Sequence, residues 1–120
     1  GVAAAGEVEG AQVLDRQRLL DRYGGDKELV GELYRAFQED APVKLARLKE
    51  GRESGDLEAM GRMAHSLKGV AGVIFANRTM RLAAELQDSA MAGEAERSWE
   101  LADRVGEAMA EVLEELGGES

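Results

Sequence analysis

The chain has 120 residues, enough for one domain with a single core, and no cysteine, which removes disulfide frameworks and thiolate metal sites. Its formal charge is −9, and residues 91–120 carry nine acidic side chains against two basic ones, so nucleic acid, which is bound through basic surface, is not an expected partner. No apolar run reaches the roughly 18 residues of a membrane span, and the opening GVAAAGEVEGAQ has neither the basic nor the long apolar region of a secretory signal.

Residues 1–13 are small and weakly patterned and read as a flexible linker or N-terminal tail ahead of one helical domain over 14–118. Beyond them β-branched and aromatic residues are sparse, and apolar positions recur every three or four residues. A short first helix starts from Asp15 as N-cap, turns Leu19 and Tyr23 inward and ends at Gly24-Gly25. The second starts from Asp26 and carries the stripe Val30, Leu33, Phe37, Ala41, Leu45, Leu48. Pro42 lies inside that run. A mid-helix proline costs about 3 kcal/mol, yet the apolar register continues through it, which predicts one kinked helix rather than two.

EGRESGD at 50–56 reads as a turn. The third helix is predicted from about Leu57 to Phe75 with Asp56 as its cap, and the fourth from about Asn77 to Met91, with Met80, Ala83, Leu86 and Ala90 on one face. AGEAE at 92–96 reads as a loop. The fifth helix carries Trp99, Ala102, Val105, Met109, Val112 and Leu116 and stops at Gly117-Gly118. Short connections favour antiparallel neighbours, so the expected architecture is all-α: an up-down four-helix bundle with a short additional N-terminal helix.

AHSLKGVAG, residues 64–72, holds the one histidine of the chain. On a wheel of about 100° per residue, Met60, Met63, Ala64, Leu67, Val70, Ala71 and Ile74 gather on one side, and His65 lies roughly 150° from their centre, towards solvent. Gly61, Gly69 and Gly72 fall within about 40° of His65, with Lys68 and Arg62 about 60° to either side. Each glycine costs about 1 kcal/mol against alanine in a helix interior. Gly69 and Gly72 contribute no core packing on this geometry, which is explained if the glycines clear the imidazole for another protein's surface. An exposed neutral imidazole is a nucleophile near pH 7. Lys68, one turn on, can balance the charge of a phosphoryl group attached to it. A lone surface histidine is often inert, so spacing alone leaves this open. A helical metal pair is absent, because the positions three and four away hold Gly61, Arg62, Lys68 and Gly69. No serine-type triad is visible either.

AHSLKG followed by VAG resembles the signature of histidine-containing phosphotransfer (Hpt) domains, and the likeness extends from about Leu14 to Leu116. LLDRYGGDKELVGELYRAF is similar to the opening of that family, DLEAMGRMAHSLKG to its phosphohistidine helix, and RLAAELQ to the helix packed beside it. The resemblance implies that His65 accepts and donates a phosphoryl group, that Lys68 stabilises it, and that Gly69 keeps the approach open. It also implies that Gln87, facing the histidine from the next helix, bonds the phosphoryl group or the lysine. Phe75 departs from the pattern, since the family often has glycine in the turn after the phosphohistidine helix; it either packs into the bundle or joins a docking patch with Gly61, Gly72 and Arg62. Asn77 then looks like the cap of the next helix.

The implied reaction is a relay: a receiver domain docks with its phosphoaspartate and Mg²⁺, His65 takes the phosphoryl group, and another receiver aspartate receives it. The chain itself is expected to need no cofactor and no metal, and it has no nucleotide-binding motif, so it is a phosphotransfer intermediate rather than a kinase. Residues 57–90 carry four basic and three acidic side chains, a near-neutral patch that eases docking of an acidic receiver. A cytoplasmic monomer without membrane contact is expected. The tail and the end after Leu116 favour a C-terminal module of a hybrid sensor kinase, with a freestanding relay protein as the other setting. Two alternatives stay open: a phosphotransfer domain at the start of a chemotaxis-type kinase, and a structural helical adaptor with an incidental histidine.

Overall fold

Aspartates start three of the helices. In the computed structural model, which describes residues 13–117, Asp15 Oδ1 accepts the N–H of Arg18 at 3.1 Å, Asp26 Oδ1 that of Leu29 at 3.0 Å and Asp56 Oδ1 that of Ala59 at 3.0 Å. Each carboxylate satisfies one of the donors a helix start leaves unpaired and sits at the positive end of its dipole. The helices so begun are α1 (Arg16–Arg22), α2 (Lys27–Ser54) and α3 (Leu57–Val73), and α4 (Asn77–Met91) and α5 (Ala95–Gly117) follow. The described residues contain no strand. The expected tail lies outside the described residues except for Val13, which is half-buried against the core.

Four of the helices end in the same way. The chain reverses through a left-handed residue, followed after α1 by a second, Gly25 at φ 80°, and two N–H groups return to the last turn, in the Schellman arrangement. Gly24, Gly55 and Gly93 hold that position after α1, α2 and α4, with φ of 66°, 73° and 74°. After α3 it is Phe75, at φ 56°, with the Ala76 N–H on the Ala71 carbonyl at 2.9 Å and the Phe75 N–H on that of Gly72 at 3.2 Å. A left-handed residue with a Cβ costs roughly 1–2 kcal/mol that glycine avoids.

The boundaries differ from the sequence reading in four places. The supposed turn at 50–56 is helical as far as Ser54. Gly51 is not a breaker: it is buried, and a Cβ there would lie 3.1 Å from Met60 Cγ and 3.6 Å from Ala59 Cβ, so its bareness lets α3 fold back onto the end of α2. α3 stops at Val73, because the left-handed Phe75 closes it. Asn77 does not cap α4; Ala76 occupies the cap position with no side-chain hydrogen bond. Ala76 is fully buried in the short link, where a polar cap would be desolvated. α5 begins at Ala95, inside the supposed loop. Pro42 sits exposed within a single uninterrupted α2, as the continuous apolar register predicts.

The bundle closes as a ring in which α2 packs on α3, α3 on α4, α4 on α5 and α5 on α2, while α1 lies against α2. The stripes meet inside: Phe37, Ala41 and Leu48 of α2, Met60, Ala64 and Leu67 of α3, Ala83 and Leu86 of α4, and Val105, Met109 and Val112 of α5 are buried. Small residues on α3 and α4 bring those two helices closest. Ser89 and Ser98, both buried, share a 2.8 Å hydroxyl contact that joins α4 to α5. A two-pronged Arg52–Asp103 pair at 2.9 and 3.1 Å ties the end of α2 to α5. α5, which holds most of the acidic excess, therefore runs diagonally across the bundle from α3.

Candidate functional site

α3 and α4 run antiparallel in a fixed register: Gly61 faces Ala90, His65 faces Gln87 and Gly72 faces Met80. The buried stripe of α3 turns His65 away from the core, and its ring is exposed. Its Nδ1 lies 3.1 Å from Gln87 Nε2, and no other hydrogen bond from the described residues reaches the ring. As placed, the amide donates to Nδ1, which puts the ring proton on Nε2. Turned over, its Oε1 accepts from Nδ1–H and leaves the Nε2 lone pair free. Either way Gln87 holds one ring nitrogen and the other faces solvent. Its partner is the imidazole, not Lys68.

Lys68 is half-buried one turn beyond His65 and has no acidic partner among the described residues. An ammonium not committed to a carboxylate is free to meet an incoming anion. Arg62, one turn before, is exposed and paired with Glu58 at 3.1 Å, so its charge is partly answered.

The three glycines do not share one role. A Cβ at Gly69 would meet nothing within 4 Å, so the surface is open there. At Gly61 it would touch Ala90 Cβ at 3.5 Å, and at Gly72 Met80 Sδ at 3.3 Å. Gly61 is buried and Gly72 half-buried. The expectation that all three clear the histidine's face is therefore corrected. Gly61 and Gly72 let α4 approach α3, and the close approach is what brings Gln87 within reach of His65. The wheel missed this because it treats the apolar stripe as the whole buried face, whereas α4 also covers its edge.

Two grooves flank His65 along α3. Towards its N-terminus Leu57, Gly61, Ala90 and the exposed Met91 line an apolar groove of about 880 Å³ that reaches His65 and Gln87. Towards its C-terminus Gly69, Gly72 and Phe75 face Arg18 and Arg22 of α1 across a groove of about 840 Å³. Phe75 is half-buried, and the Arg18 guanidinium lies over its ring, 4.8 Å from the centroid.

A family model described as Hpt domain matches residues 32–116. The chain belongs to the Hpt domain family. The crystal structure of histidine-containing phosphotransfer protein B (HptB) from Pseudomonas aeruginosa PAO1 is similar to it, at 27% sequence identity, over 91% of this chain and 95% of that one, with a TM-score of 0.81. No curated protein gives a significant match. This Hpt domain thus serves phosphorelay signalling by histidine phosphotransfer, as a carrier and not an ATP-binding kinase, and domains of its kind interact with receiver domains. None of its described helices is long and apolar enough to cross a membrane.

The sequence reading of this Hpt domain missed Met91, Leu57 and Arg18. Met91 lies one residue past the stripe ending at Ala90, so its exposure was readable as an apolar side chain off the buried face. Arg18 had no local signal, since its partner ring is on another helix's end, far along the chain.

Proposed function

We propose that His65 carries the phosphoryl group, accepting it from a receiver phosphoaspartate and passing it to the aspartate of another receiver. The observation that carries this reading is an exposed imidazole with one nitrogen held by Gln87 and the other unbonded, next to a lysine without a carboxylate partner. With Gln87 Oε1 on Nδ1–H, the Nε2 lone pair attacks phosphorus in line. An N–P bond forms, the P–O bond to the aspartyl group breaks, and its electron pair returns to the carboxylate. Lys68 offsets the charge on the phosphoryl oxygens. Gln87 stabilises the positive charge the ring gains by keeping its acceptor on Nδ1–H, which makes it a positioning residue. Gly69 leaves room for the partner's backbone to approach.

On this reading the divalent cation belongs to the receiver, and the Hpt domain contributes no metal or cofactor of its own. It acts as a monomer in the cytoplasm, its core being complete within one chain. The test is incubation with a panel of receiver domains charged by acetyl phosphate and Mg²⁺. The wild type is expected to gain an acid-labile, alkali-stable phosphate. His65→Gln gains none and keeps its melting temperature, because the side chain is exposed. Label persisting on His65→Gln, or no label on the wild type from any receiver, would refute the reading.

A further inference from the structure

Phe75 occupies a backbone position that three other helix ends of this molecule give to glycine. Strain of this kind points to a role the side chain must perform. One side-chain contact defines it, beside a backbone hydrogen bond that any residue here would make. The Phe75 carbonyl accepts the Asp15 N–H at 3.3 Å, and the Arg18 guanidinium lies over the ring at 4.8 Å. Phe75 thus fastens the start of α1 to the end of α3 and holds a cation beside the open Gly69 surface. Arg18 makes no ion pair among the described residues, and neither do Arg22 or Lys68. Lys27, Arg35, Arg47 and Lys49 are also without an ion pair among the described residues, but none of them lines the groove at Gly69, and Arg52, Arg62, Arg78, Arg97 and Arg104 are each paired with a carboxylate. The groove has one carboxylate, Asp21, which already accepts from the Gln17 amide at 2.8 Å. Arg18, Arg22 and Lys68 against Asp21 leave net positive charge at one end of the surface around His65, while the other end, at Met91, is apolar apart from the mutually paired Arg62 and Glu58.

We infer that Arg18, held on Phe75, is a specificity-determining contact that pairs with a carboxylate on the rim of the incoming receiver domain and fixes which way round that domain sits on α3. This rests on the reading that receivers are the partners. The charge complementarity follows from chemistry: a domain that holds a divalent cation beside its phosphoaspartate does so with carboxylates, so its rim is acidic. The groove is also continuous with the site, since Gly69 lies one turn from His65. A guanidinium stacked on a ring has little freedom left to lose on pairing, and its planar fork matches a carboxylate.

The experiment measures phosphotransfer from the same receiver panel at varied receiver concentration and salt. Arg18→Glu is a suitable variant because a carboxylate in the first turn of α1 favours the helix, which has none there. With the preferred receiver it is expected to lower kcat/KM by about tenfold through KM, leave kcat nearly unchanged and flatten the salt dependence. Phe75→Gly, which suits the left-handed backbone, is expected to stay folded and lose the same receiver preference. Lys49→Glu, the same charge change on exposed α2 surface, leaves transfer unchanged. If the wild type transfers while Arg18→Glu and Phe75→Gly match it, or match Lys49→Glu, the inference is overturned and the relay reading stands. A wild type that accepts phosphate from no receiver overturns both.

Discussion

At Gly69 an added side chain would enter open space, whereas at Gly61 it would enter the contact with Ala90. The same substitution at the two positions should therefore separate docking from folding. Gly69→Leu is expected to keep the fold, with up to about 1 kcal/mol of added helix propensity, and to slow transfer from receivers by about tenfold or more through steric blocking of the approach. Gly61→Leu is expected to lose about 1–3 kcal/mol by wedging α4 off α3, and to draw Gln87 away from His65. Thermal melting followed by circular dichroism, alongside phosphate uptake, checks both. Normal transfer by Gly69→Leu would remove the argument that this surface is kept low for a partner. For Lys68→Ala the expectation is a slower reaction at unchanged melting temperature, since the ammonium has no described ion pair to lose.

Helix starts and stops were largely readable because they are set by short-range chemistry. Asp15, Asp26 and Asp56 cap as their types and positions predict, and Gly24, Gly55 and Gly93 take the left-handed ends that cost glycine least. The exceptions are positions where a neighbouring element overrides local preference. Gly51 stays helical because Met60 packs on it, Phe75 turns left-handed where it meets α1, and Ala76 displaces Asn77 from the cap because the link is buried. These assignments predict a contrast between two polar residues at helix starts. Asp56→Ala should cost about 1 kcal/mol, seen as a lower urea midpoint at unchanged m. Asn77→Ala should cost almost nothing, since its side chain caps no helix.

Across the whole molecule, one core supports a site that lies outside it. Leu67 is fully buried two residues from the exposed His65, so α3 presents its chemistry and its packing on opposite faces. Leu67→Ala is expected to lose about 2–5 kcal/mol, a large share of the roughly 5–15 kcal/mol that holds a domain of this size together. The melting temperature should fall, while the protein that remains folded still takes phosphate on His65. A melting temperature equal to wild type would mean that Leu67 is not the core contact described. Charge is divided on the same scale. The seven acidic side chains of α5 lie diagonally across the bundle from α3, so the surface around His65 is spared most of the −9 that would repel an acidic partner.

The amino-acid sequence alone determined the number and order of the helices, their apolar stripes and the outward direction of His65. Each depends on periodicity and capping within a few residues, and those interactions are complete inside one element. The tertiary structure alone decided which glycines separate helices and which stays bare, that Gln87 meets the imidazole rather than the lysine, and that Phe75 bends left-handed to hold Arg18. These depend on the distance and register between elements, and every helix's own pattern is compatible with several values of both.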